Sequence, residues 1–583
     1  MKIKVLEYLI DYLVYNEFDT FFLVTGGAIA PTIDYIGRNK KVKYFCFHHE
    51  QSAAMAAEGY FRTSGKMGIV LATSGPGAQN LLNGICGCWY ESIPCLFITG
   101  QVNTHESLDS IISNPRQVGF QETPVTESFK HFVKFSKKIT NVDEFDVTLK
   151  EALSKCFENR PGPSIIDIPF NIQNSYLKDF KLSKFRVKNP LSNINDSDIQ
   201  FILDKLKTSK RPLLLLGHGV KLSNAQSEAS ELIALLNIPF VLSWGGFDII
   251  HHDHPNFIGD IGVYGSRGGN YAIQNCDFLI SIGSRLDTRQ TGGNLKLFSV
   301  ESSKVMVDID ENELNKDRGN NIDLKIKANA LEFILKLKTK VERLNLNPEW
   351  QDYINRWRNI MEKRKTKTDV LTSYEFLEEL NSKIPTNSII VPDQGGNLVW
   401  SMQSIKIKKG QKMFSNFGNS SMGYALPASI GASVSTKNPI FCIDGDGGFQ
   451  MNIQELQTVK NYKIPIKIII LNNRSYGIIK QFQDSLFDSR YIATDGEDYS
   501  APDFVKIGKA YGIESIRATK SNYKEVIEYL INVNKPILID VIIDKEQKLI
   551  PKLEYGNALE NMTPYLKIDE TKKNMIINMA KRF

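Results

Sequence analysis

Short apolar runs alternate with longer segments of helical period along the whole chain, and this alternation restricts the folds available to it. Strands buried on both faces read as continuous β-branched or apolar runs, and helices that cover a parallel sheet follow them in sequence. We therefore predict an α/β protein built on parallel sheets covered by helices. Clear examples of such runs are residues 68–72, 95–99, 164–168, 213–216, 278–282, 304–309, 389–391, 440–443, 466–471 and 537–542.

The length of the chain requires more than one hydrophobic core. At 583 residues it exceeds the size of a single core, and polar stretches at 181–198 and 345–368 have the composition of linkers or long surface helices. Short solenoid-type repeats are absent from the sequence, so any repetition is at the scale of domains. We predict three doubly wound parallel-sheet domains followed by a C-terminal tail. Their limits are 1–180, 190–345, 370–555 and 556–583.

Charge and composition exclude several classes of partner. The chain has 71 basic and 65 acidic residues, a net charge of +6, without a basic arm or stripe, which disfavours nucleic acid. Its apolar runs are shorter than the roughly 18 residues of a membrane span, and residues 1–15 lack the apolar core of a signal peptide. The seven cysteines lie mostly in apolar contexts, as in reduced proteins. We expect a cytoplasmic protein.

A glycine-rich turn in the last third of the chain suggests a binding site. Gly445-Asp446-Gly447-Gly448 ends one predicted strand and opens onto a helix, and the next strand ends at Asn473. A right-handed β-α-β crossover places both strand ends on one edge of a sheet, so Asp446 and Asn473 should meet. A carboxylate and an amide oxygen suit Mg²⁺, while glycines let the backbone approach a diphosphate at the start of a helix.

This arrangement resembles the diphosphate-binding motif of thiamine-diphosphate enzymes. The resemblance implies that Asp446, Asn473 and the backbone carbonyl of Ser475 bind Mg²⁺, and that Gly445, Gly447 and Gly448 contact the cofactor. It also implies a glutamate at the other end of the cofactor. Such a residue protonates the aminopyrimidine ring and thereby promotes activation of the thiazolium carbon.

Three further segments resemble parts of the same cofactor site. The run His48-His49-Glu50-Gln51 resembles the family's His-Glu-Gln segment, which makes Glu50 the candidate glutamate; alone, Glu50 could equally be an acid stabilised by the helix dipole. Residues 73–80 resemble the family's Thr-Ser-Gly-Pro-Gly segment. By position within residues 416–427, Met422 is the side chain wedged between the two cofactor rings, although methionine is more often a core residue. The remaining cofactor-binding positions that the resemblance implies are Gly26, Gly75, Pro76, Gly77, Asn80, Gln394, Gly477 and Ile478.

The order of the parts resembles the acetolactate synthase and pyruvate oxidase branch over essentially the whole chain. This implies decarboxylation of a 2-oxo acid such as pyruvate and transfer of the two-carbon unit to a carbonyl acceptor. Phe120 and Gln121 would lie near the reacting carbonyl, and Arg289 would bind the carboxylate of the acceptor, although a single arginine is ordinarily a surface charge. Phe482 stands where those synthases usually have a tryptophan.

Other features leave the acceptor open. Residues 123–129 differ from the usual synthase sequence, and residues 551–562 resemble relatives that act in surface-sugar pathways. One alternative is therefore the same chemistry with a nucleotide-linked keto sugar as acceptor. Others are a non-ligating 2-oxo acid decarboxylase or oxidase, and a catalytically silent cofactor-binding scaffold. The presence of Glu50 argues against the last of these.

The middle third of the chain resembles the part of acetolactate synthases that holds FAD. We expect FAD in this domain, with Arg285 and Asp308 among its contacts, although the Gly-x-Gly-x-x-Gly fingerprint is absent. In this family Glu50 of one subunit serves the diphosphate site of another. The resemblance thus implies a homodimer or homotetramer and allows a regulatory subunit. The segments that carry it are residues 213–219, 259–269, 283–287 and 307–310.

Overall fold

Three parallel sheets dominate the computed structural model, which describes residues 2–113, 115–178, 180–187, 191–316, 319, 321–360, 362 and 369–582. Within these residues each of the three sheets has six strands, and every pair of neighbours is parallel. The predicted fold class is confirmed. The strands of the first sheet are Thr20–Leu23, Lys43–Cys46, Gly68–Ala72, Cys95–Gln101, Phe135–Lys138 and Pro163–Pro169. Those of the second are Pro212–Leu216, Phe240–Leu242, Phe257–Asp260, Phe278–Ile282, Ser303–Asp308 and Leu324–Lys327. Those of the third are Ile389–Pro392, Lys412–Met413, Ile440–Gly445, Ile466–Asn472, Glu514–Ala518 and Ile537–Ile542.

Helices follow most of the strands, as a doubly wound fold requires. The α-helices of the first domain are Val5–Tyr15, Ala30–Arg38, Glu50–Ser64, Pro76–Gln79, Leu82–Glu91, Val125–Phe129, Phe145–Phe157 and Phe170–Asn174. Those of the middle domain are Asp196–Thr208, His218–Leu222, Gln226–Leu236, Arg267–Asn275, Thr288–Thr291, Glu311–Asn315, Ala330–Lys338 and Pro348–Arg358. Those of the third domain are Ser373–Lys383, Gly396–Ser404, Ala425–Ser433, Asp446–Phe449, Leu456–Tyr462, Gly477–Leu486, Phe504–Ala510 and Tyr523–Asn532, and the tail adds Ile568–Lys573. The short pairs Ile3–Lys4 with Tyr176–Leu177, and Lys552–Leu553 with Met562–Thr563, are antiparallel.

The first and third sheets share one topology. Numbered along the chain within each sheet, both have the strand order 2-1-3-4-6-5, whereas the middle sheet has the order 3-2-1-4-5-6. In the shared order the chain changes direction across the sheet between strands 1 and 3. Ligands of open α/β sheets bind at the carboxyl ends of the strands beside such a switch point.

The first and third domains also share a hydrophobic core. Met55 and Val70 of the first domain belong to the same buried cluster as Leu426 and Ile440 of the third. Helix Glu50–Ser64 crosses helix Ala425–Ser433 so closely that a Cβ at Gly59 or Gly431 would overlap the backbone of the other helix. The carboxyl edges of the two sheets are therefore held in a fixed relation.

Two segments outside the predicted domains contribute to the core of the middle domain. Residues 345–368 have the composition of a linker or surface helix, but helix Pro348–Arg358 buries Trp350 and Trp357 in the core of the middle domain. Met562 and Ile577 of the tail join the same core. The predicted domain limits remain predictions, and residues 1, 190 and 583 lie outside the described residues. Among the described helices, none is long and apolar enough to cross a membrane.

Candidate functional site

The glycine-rich turn and the asparagine meet at the carboxyl edge of the third sheet. Strands Ile440–Gly445 and Ile466–Asn472 are parallel neighbours in register to their ends. Asp446 and Asn473 directly follow them and are 3% and 4% exposed, respectively. The β-α-β argument from the sequence thus describes the observed geometry.

Three oxygen ligands surround one point at this edge. The amide of Asn473 lies 3.3 Å from Asp446 Oδ1 and 2.9 Å from the carbonyl oxygen of Ser475. If the amide nitrogen of Asn473 faces Asp446 and Ser475, it donates a hydrogen bond to each of them. If the amide oxygen faces them instead, three oxygens face one another and a cation is needed to hold them together. Burial raises the pKa of Asp446 to about 7. The donor set fits Mg²⁺, which phosphate oxygens and water would complete.

Protein side chains pack closely against the glycines of this turn. A Cβ at Gly447 would overlap the ring of Tyr476, and one at Gly448 would overlap the carboxylate of Asp393. Asn397 is 3% exposed, and its Oδ1 lacks a hydrogen-bond partner in the part of the chain that the structure describes. A buried amide of this kind is costly unless a ligand satisfies it.

Two longer helices begin next to the turn. Helix Gly396–Ser404 starts after Gly395, and helix Gly477–Leu486 starts beside Asn473, where a Cβ on Gly477 would lie 2.6 Å from the Asn473 amide nitrogen. Ile478 approaches Gly395 to about 4.0 Å from its ideal Cβ position, so the two helix starts adjoin. Unpaired N–H groups and the helix dipoles favour an anion such as diphosphate there.

Residues 416–423, which we call the Met422 turn, adjoin the same strand ends. Met422 is half-buried. Gln394 holds the turn through two hydrogen bonds: its Nε2 donates to the carbonyl oxygen of Asn416 at 3.0 Å, and its Oε1 accepts from Ser420 Oγ at 2.7 Å. Ser420 has a φ of +59°, so the backbone turns sharply just before Met422. Gln394 therefore supports this turn, and its direct cofactor contact remains a prediction.

Glu50 lies at the corresponding edge of the first sheet. It is the first residue of helix Glu50–Ser64 and is 7% exposed. Asn80 Nδ2 donates to its Oε2 at 2.9 Å. A Cβ on Gly77 would lie 2.8 Å from Thr73 Cγ2 and 3.0 Å from Glu50 Oε1, so the glycine leaves room for both side chains. The structure brings together Glu50, Gly77 and Asn80 as predicted.

The other predicted residues of the first domain lie in different surroundings. Gly75, with a φ of +60°, packs on the predicted catalytic residue Gln121, whose carbonyl oxygen would be 2.8 Å from a Cβ at that position. Pro76 opens the short helix after this turn, and Gly26 packs against Thr73. Phe120, by contrast, is 85% exposed in this single chain. Its predicted place beside the reacting carbonyl remains a prediction.

A long cleft runs along the carboxyl edge of the middle sheet. Three adjoining cavities of about 320, 450 and 520 Å³ all border Arg285. Asp308 and His218 line the first, and burial raises the pKa of Asp308 to about 6. Charged, polar and apolar side chains all line these cavities.

Arg160 is a cleft residue that sequence reasoning missed. It borders two of the cavities, and its Nη1 donates to Asp310 and Glu313 at 2.9 Å each. An Arg-Pro-Gly loop just before strand Pro163–Pro169 was the available signal. His218 lies within residues 213–219, which were named from the sequence as one segment, and it is the first residue of helix His218–Leu222.

The two predicted substrate residues take different places. Arg289 borders the second cavity together with Ser420, and its guanidinium lies 5.3 Å from the ring of Trp244. This cavity thus leads from Arg289 toward the Met422 turn. Phe482 is 39% exposed and lies under the Lys552 amine, 5.0 Å from its ring centre.

A metal site in this molecule would need donor atoms of different types. Among the residues that the structure describes, no group of three or more His, Cys, Asp and Glu side chains could hold a metal ion. The Asp446 site supplies one carboxylate, one amide and one backbone carbonyl. Such a site suits a hard cation that also binds an anionic cofactor.

Family models for thiamine pyrophosphate enzymes match all three domains. The N-terminal TPP binding domain matches residues 3–128, the central domain matches 199–337, and the C-terminal TPP binding domain matches 393–541. The Glu50 site lies in the first match and the Asp446 site in the third. The two ends of the expected cofactor site are thus in the two cofactor-binding domains of the family.

Relatives match the chain nearly end to end. An acetolactate synthase large subunit from Cyanidium caldarium is 34% identical, covering 95% of both chains. An acetolactate synthase isozyme 2 large subunit from Escherichia coli (strain K12) is 32% identical, covering 93% of this chain and 96% of the relative. A chloroplastic acetolactate synthase from Arabidopsis thaliana is 29% identical, covering 95% and 84%. With these matches and this geometry, the chain belongs to the thiamine pyrophosphate enzyme family and groups with its acetolactate synthase large subunits.

Proposed function

We propose that this protein is the catalytic subunit of an acetolactate synthase that uses thiamine diphosphate and Mg²⁺. The convergence of Asp446, Asn473 and the Ser475 carbonyl beside a glycine turn carries the proposal, because it combines a cation site with a diphosphate cradle. The similarity to acetolactate synthase large subunits supports pyruvate as the donor.

The overall reaction is a carbon–carbon exchange without net oxidation. One pyruvate loses CO₂, and its carbonyl carbon then bonds to the carbonyl carbon of a second pyruvate, whose oxygen takes up one proton to give acetolactate. Thiamine diphosphate, when bound, supplies the carbon nucleophile and the electron sink for decarboxylation. Because the atoms and electrons balance, neither an oxidant nor a reductant is consumed.

The residues of this chain would bind the cofactor and its cation and orient the reacting groups. Asp446, Asn473 and the Ser475 carbonyl would hold Mg²⁺ against the diphosphate, and Gly445, Gly447, Gly448, Gly477 and Ile478 would form the cradle. Met422 would support the angle between the rings. Glu50, oriented by Asn80, would hold a proton at a ring nitrogen of the aminopyrimidine.

Arg289 is the proposed acceptor-binding residue. Its guanidinium borders a cavity that also reaches Ser420 near Met422, and a planar fork matches the carboxylate of a 2-oxo acid. Phe482 and Phe120 would add apolar walls, and Gln121 would lie near the reacting carbonyl. The relatives do not favour the nucleotide-linked keto sugar as acceptor.

FAD is the proposed ligand of the middle cleft. Arg285 borders all three of its cavities, and Asp308 provides an acceptor for a ribose or a ring nitrogen. Since the reaction is redox-neutral, flavin would stabilise the fold of the cleft rather than carry electrons. Release of a yellow cofactor with flavin absorbance on denaturation would test this assignment.

The proposed assembly is a homodimer or a dimer of dimers in the cytoplasm. Ile112 and Phe120 are fully and largely exposed, and so are Leu486 and Ile492 of the third domain at 63% and 70%. Apolar side chains of this kind favour burial against another copy. The large-subunit relatives make a regulatory subunit a reasonable further partner, and the free state of all seven cysteines agrees with a reducing compartment.

The decisive experiment supplies pyruvate with thiamine diphosphate, Mg²⁺ and FAD and identifies the products by mass spectrometry. We expect CO₂ and acetolactate in equal amounts, and a raised KM for acceptor pyruvate in Arg289→Lys. Acetaldehyde or acetate in place of acetolactate would contradict the ligase assignment. A second reaction that adds a nucleotide-linked 4-keto sugar tests the alternative acceptor, which would appear as an acetylated sugar.

A further inference from the structure

One buried amide connects the Glu50 helix with the Met422 turn. Asn452 is 1% exposed, and its Nδ2 donates to the carbonyl oxygen of Gly423 at 2.7 Å. Its Oδ1 accepts from Ser52 Oγ at 3.0 Å and from Gln51 Nε2 at 3.3 Å. A single side chain of the third domain thus binds the residue after Met422 and the two residues after Glu50.

The same turn is held from its other side by Asp393. This residue is fully buried at the end of strand Ile389–Pro392, and its carboxylate accepts from the backbone N–H groups of Gly423 and Ala425, each at 3.0 Å. Gly423 therefore has both its N–H and its carbonyl held by buried side chains. With a φ of +80° it also permits the tight bend that presents Met422.

The contacts of Asn452 are not needed to hold the two domains together. Helices Glu50–Ser64 and Ala425–Ser433 already pack backbone to backbone at Gly59 and Gly431. Asn452 adds hydrogen bonds that fix the start of helix Glu50–Ser64 relative to the loop before helix Ala425–Ser433. Buried, directional bonds of this kind fix positions more than they add stability.

We propose that Asn452 is a positioning residue that couples the placement of Glu50 to that of Met422. It acts through the Gly423 carbonyl on one side and Ser52 on the other. This inference rests on the proposed function, because Glu50 and Met422 matter only if thiamine diphosphate binds between such residues. If the site is shared between subunits, the amide joins the Glu50 end of one site to the Met422 end of the next.

The test compares Asn452→Ala with Ser52→Ala and with the control Gln457→Ala, whose amide is part of the following helix and donates to Asn461. The readout is the rate at which the thiazolium C2 proton of bound thiamine diphosphate exchanges for deuterium, at saturating cofactor and Mg²⁺. We expect Asn452→Ala to slow exchange by about 10- to 100-fold, since misplacements near 1 Å have effects of this size. Ser52→Ala should slow it by a few-fold, and Gln457→Ala should match the wild type.

Cofactor affinity separates positioning from structural damage. The dissociation constant of thiamine diphosphate, measured by calorimetry, should change by less than about threefold in both variants, because the cradle and the cation site are intact. Unchanged exchange in Asn452→Ala would overturn the proposal. So would slower exchange accompanied by a proportional loss of cofactor binding, which a purely structural role predicts.

The two proposals fail in different ways. If Asn452→Ala does not fold, Ser52→Ala decides alone: exchange slower than in Gln457→Ala supports the coupling, and equal rates overturn it. Exchange requires neither pyruvate nor acceptor, so a wild type that binds cofactor and exchanges C2 but makes no acetolactate overturns only the proposed reaction. A wild type that does not bind thiamine diphosphate overturns both.

Discussion

The first and third domains have the same sheet topology but different chemistry at the same position. In both, strand 3 of the 2-1-3-4-6-5 order ends in a glycine turn, Gly75-Pro76-Gly77 in one and Gly445 to Gly448 in the other. The first turn is uncharged and leaves room for Glu50, which follows the edge strand Lys43–Cys46 two positions across the sheet. The second turn carries its own acid, Asp446, and faces an asparagine on strand 4.

This difference shows how one scaffold can hold opposite ends of a ligand. An uncharged turn beside a buried glutamate can hold a proton, whereas a turn with an aspartate, an amide and a carbonyl can hold a cation. The topology fixes where a ligand may lie, and the few side chains at the strand ends decide its chemistry. The predictions below test whether the two turns are functionally distinct.

Removal of the acid from the third-domain turn should have the largest effect. Asp446→Ala leaves the cation with an amide and a carbonyl, and we expect acetolactate formation to fall by about 100- to 1,000-fold, with loss of Mg²⁺-dependent binding of thiamine diphosphate. Initial rates and calorimetric titrations with and without Mg²⁺ measure this. Asp488→Ala, whose side chain is 90% exposed, is the control. Wild-type binding in Asp446→Ala would remove the distinction between the turns.

The equivalent change in the first domain should separate binding from turnover. Glu50→Gln keeps the shape of the side chain but cannot hold the proton, so kcat should fall by about 100- to 10,000-fold. Cofactor affinity should stay within a few-fold of the wild type, unlike in Asp446→Ala. Glu127→Gln, an exposed residue of the same domain, is the control. Equal loss of binding in both variants would contradict two distinct ends.

Filling the space under Glu50 should have an intermediate effect. Gly77→Ala places a Cβ 3.0 Å from Glu50 Oε1, and we expect the displaced carboxylate to lower kcat by about tenfold. Gly37→Ala is the matched control, because a Cβ at that helical position meets open space and should be neutral or stabilising. Steady-state kinetics and thermal unfolding of both variants distinguish the two outcomes. An active Gly77→Ala would mean that the glycine serves the backbone alone.

Removal of the Glu50 hydrogen bond should have the smallest effect. Asn80→Ala deletes the 2.9 Å bond to Glu50 Oε2, and we expect kcat to fall by about two- to tenfold, in line with one hydrogen bond to a carboxylate. Cofactor affinity should stay within a few-fold of that of the wild type, because the cation site and the glycine turn are unchanged. The control is Asn174→Ala, whose amide donates to Phe170 on the surface. A kcat equal to that of the wild type would show that Asn80 does not orient Glu50.

Interior strands were easier to find in the sequence than edge strands. All the apolar runs named from the sequence form strands inside the sheets, where both faces are covered and the pattern stays apolar. Edge strands such as Lys43–Cys46, Leu324–Lys327 and Glu514–Ala518 are half-exposed and mix charged with apolar residues. Their pattern resembles that of a loop or helix until the neighbouring strand is known.

The tail shows the same limit at larger scale. The sequence predicts residues 556–583 only as a C-terminal tail, but Met562, Ile577 and the distant Trp350 pack together in the core of the middle domain. The sequence gives no sign of this, because apolar residues spaced irregularly through a polar segment have no period. Only a surface elsewhere in the chain that accepts them makes the segment a part of the core.

By itself the sequence determined the fold class and the meeting of Asp446 with Asn473. Both depend on local information: the period of apolar residues, and a crossover whose handedness is the same in nearly all α/β proteins. The tertiary structure alone decided that Asn80 orients Glu50, that Arg160 borders the middle cleft, and that Asn452 links the Glu50 helix to the Met422 turn. The hydrogen bonds of Asn80, Arg160 and Asn452 reach partners that are 30, 150 and 400 positions away. A hydrogen bond depends on distances of a few tenths of an ångström, and those are set only when whole domains pack against one another.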